Sequence, residues 1–204
     1  MIFGVKYWFS HRSGVYEHNA QTHTYLPPYY YYTMNKRDKF YFAYFLLHIP
    51  ITLLIDSCLV IPREYRLDIQ NQLADFHIST NKDFLLADPP LWLQIFGVFE
   101  LFFQLPFFAV GACGLWQQWR SIYVGLTVYG FNAFLTTLVC LVYIEAEGVS
   151  NGLSNNEVVS LSGMYTPYLL IPLVMMIDCG VRLMSYISEA QQAEEEELSE
   201  KKTI

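Results

Sequence analysis

Two carboxylates lie inside otherwise apolar stretches of the chain. Asp56 closes the run His48-Ile-Pro-Ile-Thr52-Leu-Leu-Ile-Asp56, and Glu100 sits in the middle of Leu91-Trp-Leu-Gln-Ile-Phe-Gly-Val-Phe-Glu100-Leu-Phe-Phe-Gln104-Leu-Pro106. An acid in hydrocarbon costs about 2.5–3.5 kcal/mol on insertion scales, so such residues face a bundle interior or a cavity and mark a functional site by default. If the two meet, they cannot both stay ionised in a low dielectric, and the pair holds one negative charge, enough to attract one cation. The alternative is an acid hydrogen-bonded to a neighbouring helix with no ligand. Gln104 lies one turn beyond Glu100 on the same helix face. Tyr165 and Tyr168 present aromatic faces that can hold a cation, or else belong to an aromatic belt at a bilayer interface. Asn132 is placed to line a cavity or to bond between helices, and Asp178 and Arg182 have the i,i+4 spacing of a local ion pair.

These residues must be positioned by membrane helices. Of the 204 residues 53% are hydrophobic and only 15% charged, against about 25% charged in a soluble domain. The apolar residues come in blocks, and a span needs about 20 of them. Four segments qualify: Phe40–Ile61, Leu91–Leu115, Ile122–Ile144 and Tyr165–Ile187. The expected fold is an all-α membrane protein, a four-helix transmembrane bundle. Pro50, Pro106 and Pro172 fall inside segments and are expected to kink them, opening space for a cavity. The chain divides into an N-terminal extension (1–39) expected to lack order, the membrane domain (40–187) and an acidic tail (188–204). The run Glu194 to Glu197 predicts a solvated, disordered tail.

Lys36, Arg37 and Lys39 before the first span, Arg120 between the second and third, and Arg182 near the end of the fourth put both termini in the cytosol. The chain ends Lys201-Lys202-Thr203-Ile204, which resembles the dilysine retrieval signal and predicts the endoplasmic reticulum; a chance pair of lysines is the alternative. Residues 1–33 hold four consecutive tyrosines, Tyr29 to Tyr32, and His11, His18 and His23 without ligand spacing, with no apolar core of a secretory signal. Met34-Asn-Lys-Arg would serve as a start, so this stretch reads as dispensable or as lying ahead of the true start. The four cysteines, Cys58, Cys113, Cys140 and Cys179, form no CxxC and read as small hydrophobes. No metal or cofactor is expected. The formal net charge of −7 argues against a nucleic-acid partner.

Several blocks follow in a recognisable order: the His48 to Asp56 run, Pro62-Arg-Glu64, Lys82-Asp83-Phe-Leu-Leu, Asp88-Pro-Pro-Leu-Trp92, Glu100-Leu-Phe-Phe-Gln104-Leu-Pro-Phe-Phe108, and Tyr165-Thr-Pro-Tyr168-Leu-Leu-Ile-Pro172. Together they resemble the sigma-2 receptor branch of the EXPERA family, which also contains the emopamil-binding sterol isomerase and fungal members linked to efficient mitochondrial targeting. The resemblance implies a four-helix core with a ligand cavity opening within the membrane, and residence in the endoplasmic reticulum. It implies binding of sterol-like lipids or cationic amphiphiles and a role in sterol homeostasis. By this resemblance Asp56 would pair with a ligand amine beside Glu100, with Gln104, Tyr165, Tyr168 and Thr137 lining the cavity. Asp83 would act in support, more by ordering a loop than by touching ligand, and His48 would also be supporting.

The isomerase cousin pairs its histidine with a glutamate four residues later, which places acid and base on one helix face. Here His48 matches, but Thr52 stands where that glutamate would be, which argues against enzymatic activity. The expectation is a non-catalytic ligand-binding membrane protein. An adaptor for mitochondrial precursor targeting and a residual sterol isomerase are the alternatives. Expected partners are the membrane, a sterol or amine-bearing lipid-like ligand, sterol-transport or other reticulum proteins, and a second copy of the chain.

Overall fold

A computed structural model describes residues 34–202. The expected disorder of the N-terminal extension falls on 1–33, outside the described residues, but its last residues do not stay apart from the membrane domain. Helix α1 already begins at Lys36 and runs to Leu54, capped by the Asn35 side chain, which accepts from the Asp38 amide. Asp38 in the first turn complements the helix dipole. The first span then tightens into a 3₁₀ turn, Asp56–Leu59, and a second 3₁₀ turn follows at Arg63–Tyr65.

Between the first two spans lie α2 (Asp68–Asn81) and the single turn α3 (Phe84–Ala87). Gln70 ties α2 to the end of the first span: its amide donates to the Leu53 carbonyl at 2.8 Å and to Ser57 Oγ at 2.9 Å. Lys82 ends α2 in the left-handed conformation, φ 55°, and the Asp83 side chain then caps α3 by accepting from the Leu86 amide.

The second span is α4 (Leu91–Phe99), a π turn (Glu100–Gln104) and α5 (Leu105–Trp116). Pro106 has no N–H to give, and the turn just before it widens so that the Leu105 amide reaches back to the Glu100 carbonyl. The backbone adjustment expected at a proline is found here; α1 passes Pro50 as continuous helix, and so does the fourth span at Pro172. The third and fourth spans are α6 (Ile122–Glu147) and α7 (Asn155–Lys202). They cross closely at Gly130, where an added Cβ would stand 2.7 Å from the Pro172 carbonyl oxygen.

The chain is thus a multi-pass membrane protein, and its described residues are all-helical, with four spans among them long and apolar enough to cross. Leu47, Phe102, Phe103, Val128 and Val174 point outward, as a lipid-facing surface requires. The fourth span departs from expectation at both ends. It starts ten residues before Tyr165, and it continues through the acidic stretch expected to be disordered. The sequence from Ser188 onward is rich in Ala, Glu, Gln and Lys, all strong helix formers, and Lys201 pairs with Glu197 one turn back at 2.6 Å. At 1.5 Å per residue this helix is about 72 Å long, more than twice a ~30 Å hydrocarbon core, so it extends well outside the membrane.

One end of the bundle is held by ions. Arg182 reaches Asp178 at 2.6 Å, the expected i,i+4 pair, and also Asp38 of α1 at 2.6 Å. Tyr123 of α6 donates to Asp38 at 2.8 Å, and Tyr41 to Asp178 at 3.1 Å, while Arg37 closes the group by pairing with Asp178. Asp38 is 4% exposed, so three spans are joined through a buried carboxylate.

Candidate functional site

Near the other end lies a cavity of about 310 Å³, within the size range of small-molecule sites. All four spans contribute to its wall: His48 and Asp56 from the first, Glu100 and Gln104 from the second, Thr137 from the third, Tyr165 and Tyr168 from the fourth. Asp83 joins them from the loop before α3. Every residue expected at the site therefore borders one chamber, except Lys201 and Lys202, which lie at the far end of α7.

The two acids are brought together by one hydroxyl. Thr52 Oγ1 lies 3.0 Å from Asp56 Oδ2 and 2.7 Å from Glu100 Oε1, and its side chain is fully buried. Local geometry sets this up. Thr52 and Asp56 are four residues apart, so the end of α1 stacks them on one face. The π turn begins at Glu100 and presents its side chain toward α1. A hydroxyl has one hydrogen and two lone pairs, so it can donate to only one carboxyl. The other contact needs a hydrogen from a carboxyl itself, and the trio closes when it shares a proton and carries a single negative charge.

The remaining polar groups are fixed by neighbours. Gln104 donates to Asn132 Oδ1 of α6 at 2.8 Å, so Asn132 bonds between helices. His48 sits with Nδ1 3.0 Å from the Tyr44 carbonyl oxygen and packs its ring 3.9 Å from that of Tyr44 and 5.6 Å from that of Tyr168. Tyr44 and Tyr129 hydroxyls meet at 3.1 Å. Thr137 donates to the Tyr168 carbonyl at 3.4 Å, which joins α6 to α7 beside the chamber. Tyr165 lines the cavity, where its hydroxyl donates to Asp83 Oδ2 at 3.0 Å.

Asp83 caps α3 at the end of the loop and also lines the chamber. His77 Nε2 lies 3.1 Å from the same Oδ2. The bond to Asp83 raises the His77 imidazole above its ordinary pKa, against the opposing effect of burial. His77, Tyr44 and Tyr129 were not legible as site residues, because nothing local to a lone histidine in an amphipathic helix or to mid-span tyrosines marks them. Thr52 was visible only as the place where an expected glutamate is missing; its spacing four before Asp56 was the available signal.

Chemically the chamber offers a carboxyl pair at one wall, aromatic faces along another, and apolar packing from Leu93, Phe96 and Ile51. Such a set can seat a cation attached to an apolar body.

Comparison with known proteins agrees with this architecture. The family described as EXPERA, the expanded EBP superfamily, matches residues 69–179. Efficient mitochondria targeting-associated protein 19 of Saccharomyces cerevisiae is 38% identical over 153 residues, 68% of this chain and 94% of the relative. Sigma intracellular receptor 2 of Homo sapiens is 36% identical over 144 residues, 66% of this chain and 81% of the relative. The Schizosaccharomyces pombe protein 19 is 33% identical over 149 residues, 72% and 76% of the two chains. With more than half its length inside the family match and its acids arranged around one intramembrane chamber, this chain belongs to the EXPERA superfamily, on the branch that holds these two kinds of relative.

Proposed function

We propose that the protein binds a sterol-like lipid or a cationic amphiphile in the chamber between its spans, and serves sterol homeostasis or trafficking at the endoplasmic reticulum membrane. The observation that carries this reading is the pair of carboxyls, Asp56 and Glu100, bridged by Thr52 at the wall of a cavity that also offers aromatic and apolar faces. A single negative charge there is neutralised by one ligand amine, and the ligand's body takes the place of lipid contacts inside the bundle. The names of the sigma intracellular receptor relatives support a receptor-like role. The lysines Lys201 and Lys202, exposed at the end of a helix that leaves the membrane, support retrieval to the reticulum, with both termini cytosolic.

Binding is favoured over catalysis because the position facing both acids is a threonine, which positions protons by hydrogen bonding but is no general acid near neutral pH. A second reading is an adaptor in mitochondrial precursor targeting. It draws on the printed name of the fungal relatives and on the exposed helical extension of α7, whose run of glutamates, Glu194 to Glu197, suits basic segments. The deciding experiment is equilibrium binding of a tritiated, permanently charged amphiphile, 4-phenylbutyltrimethylammonium, to the purified chain and to Asp56→Asn. The expected result is saturable binding lost in the variant; no saturable binding refutes the receptor reading and leaves the adaptor. Conversion of a Δ8-sterol to its Δ7 isomer, detected by mass spectrometry, would overturn the non-catalytic reading.

A further inference from the structure

The carboxyl cluster is one polar pole of the chamber, and His77 with Asp83 forms another. Asp83 is 1% exposed and fully engaged: Oδ1 accepts from the Leu86 amide at 3.1 Å, and Oδ2 receives Tyr165 OH at 3.0 Å and His77 Nε2 at 3.1 Å. The second ring nitrogen is also held, with His77 Nδ1 3.2 Å from the Asn81 side-chain amide one turn along α2.

This geometry accepts the ring in either charge state. In neutral His77 the Nε2–H donates to Asp83 and Nδ1 accepts from the Asn81 NH₂. When Nδ1 gains a proton, the Asn81 amide turns over and presents its oxygen, an exchange a terminal amide makes without moving the backbone. His77 thus changes charge without losing a partner. Its side chain is 25% exposed and borders the chamber, so protons reach it from solvent.

Among the described residues no lysine or arginine lines the chamber; the bases that do are His48 and His77. His48 is packed between aromatic rings, whereas His77 already holds an acid. The titratable groups that share the chamber with His77 are Asp83 at the joint of α2 and α3, Asp56 on the 3₁₀ turn, Glu100 on the π turn and Cys140 of α6, with His48 and the phenols of Tyr44 from α1, Tyr129 from α6, and Tyr165 and Tyr168 from α7. A proton on His77 therefore adds a resident cation to the same chamber that must receive the ligand cation.

We propose that His77 is a proton-controlled competitor for the ligand's cation: charged, it opposes capture, and neutral, it permits it. This rests on the cation-binding reading of the chamber and adds its regulation. Capture strengthens as pH rises through the His77 titration and weakens as pH falls. Titration of the carboxyl pair moves capture in the same direction, so the comparison is between variants at fixed ligand charge.

The test is equilibrium binding of tritiated 4-phenylbutyltrimethylammonium, whose charge does not titrate, to the full chain in detergent. Binding is measured at pH ~5.5 and ~8, which bracket the ordinary imidazole range. His77→Gln keeps an amide donor toward Asp83 but never charges, and His77→Arg is charged throughout. The expected result is that wild-type affinity falls between pH ~8 and ~5.5 by roughly 5-fold or more beyond the fall in His77→Gln. His77→Arg should bind weakly at both values. A His77→Gln profile parallel to wild type, or tight binding by His77→Arg, overturns the proposal. Binding that Asp56→Asn abolishes while the His77→Gln profile is unchanged overturns this proposal alone. No binding by wild type at either pH overturns the cation-binding reading and this one with it.

Discussion

Replacing Thr52 by valine keeps the β-branched shape and removes one hydroxyl. That hydroxyl is within 3.0 Å of Asp56 and 2.7 Å of Glu100 and is shielded from solvent, so no outside group takes over its contacts. A hydrogen bond to a charged group contributes about 1.5–3 kcal/mol, and the valine methyl presses an apolar surface on both carboxyls in addition. For a chain of this size each kcal/mol moves the melting midpoint by about 2–4 °C, so Thr52→Val should melt about 3–12 °C below wild type. Thr52→Ser retains the hydroxyl and loses a methyl, a change of about 0.8 kcal/mol, and should stay close to wild type. Thermal unfolding of the purified proteins, followed by far-ultraviolet circular dichroism, measures the difference. The same samples in the quaternary-amine binding experiment should show weakened capture in Thr52→Val and near-normal capture in Thr52→Ser. If Thr52→Val melts with wild type and binds as well, the hydroxyl does not organise the acids and the single-charge cluster is refuted.

Two further outcomes follow from groups outside that cluster. Arg182→Met removes the cation between Asp38 and Asp178 while roughly keeping volume, and breaking a buried pair in this way costs about 3–5 kcal/mol. The variant should lose that much stability in chemical unfolding, and an unchanged midpoint would show that Tyr123 and Arg37 suffice. His77 has its pKa raised in the folded state, so the His77–Asp83 contact stabilises fully below the unfolded value of about 6.5 and is lost as pH climbs through the higher folded value. Limited proteolysis across Arg63–Lys82 should therefore quicken from mildly acidic to alkaline pH in wild type, after correction for the protease's own profile, and show no such step in His77→Gln.

Most of the scaffold was legible from order and composition. Twenty apolar residues in a row leave a chain only the choice of a spanning helix, because backbone groups in hydrocarbon must bond within their own segment. Boundaries were less legible. Asn155 to Met164 is too polar to count as a span yet continues the helix, and the stretch after Ser188 is too charged to bury yet strongly helix-forming. Charge density predicted solvation there correctly in kind, but solvation does not forbid a helix whose side chains favour it.

The sequence alone determined that two acids, a glutamine and two tyrosines lie within or beside spans, since that follows from hydropathy and from position in a run. Only the tertiary structure decided which of them meet. The 48-residue separation of Thr52 and Glu100 is closed by packing of the first two spans and by a π turn that no propensity scale marks. The distance from His77 to Tyr165 along the chain is longer still, and it is closed through the Asp83 side chain, an acid that local chemistry marks only as a helix cap. Spans are fixed by a solvent interaction that each segment makes by itself, whereas a site is made of contacts between segments, and those exist only once the bundle has assembled.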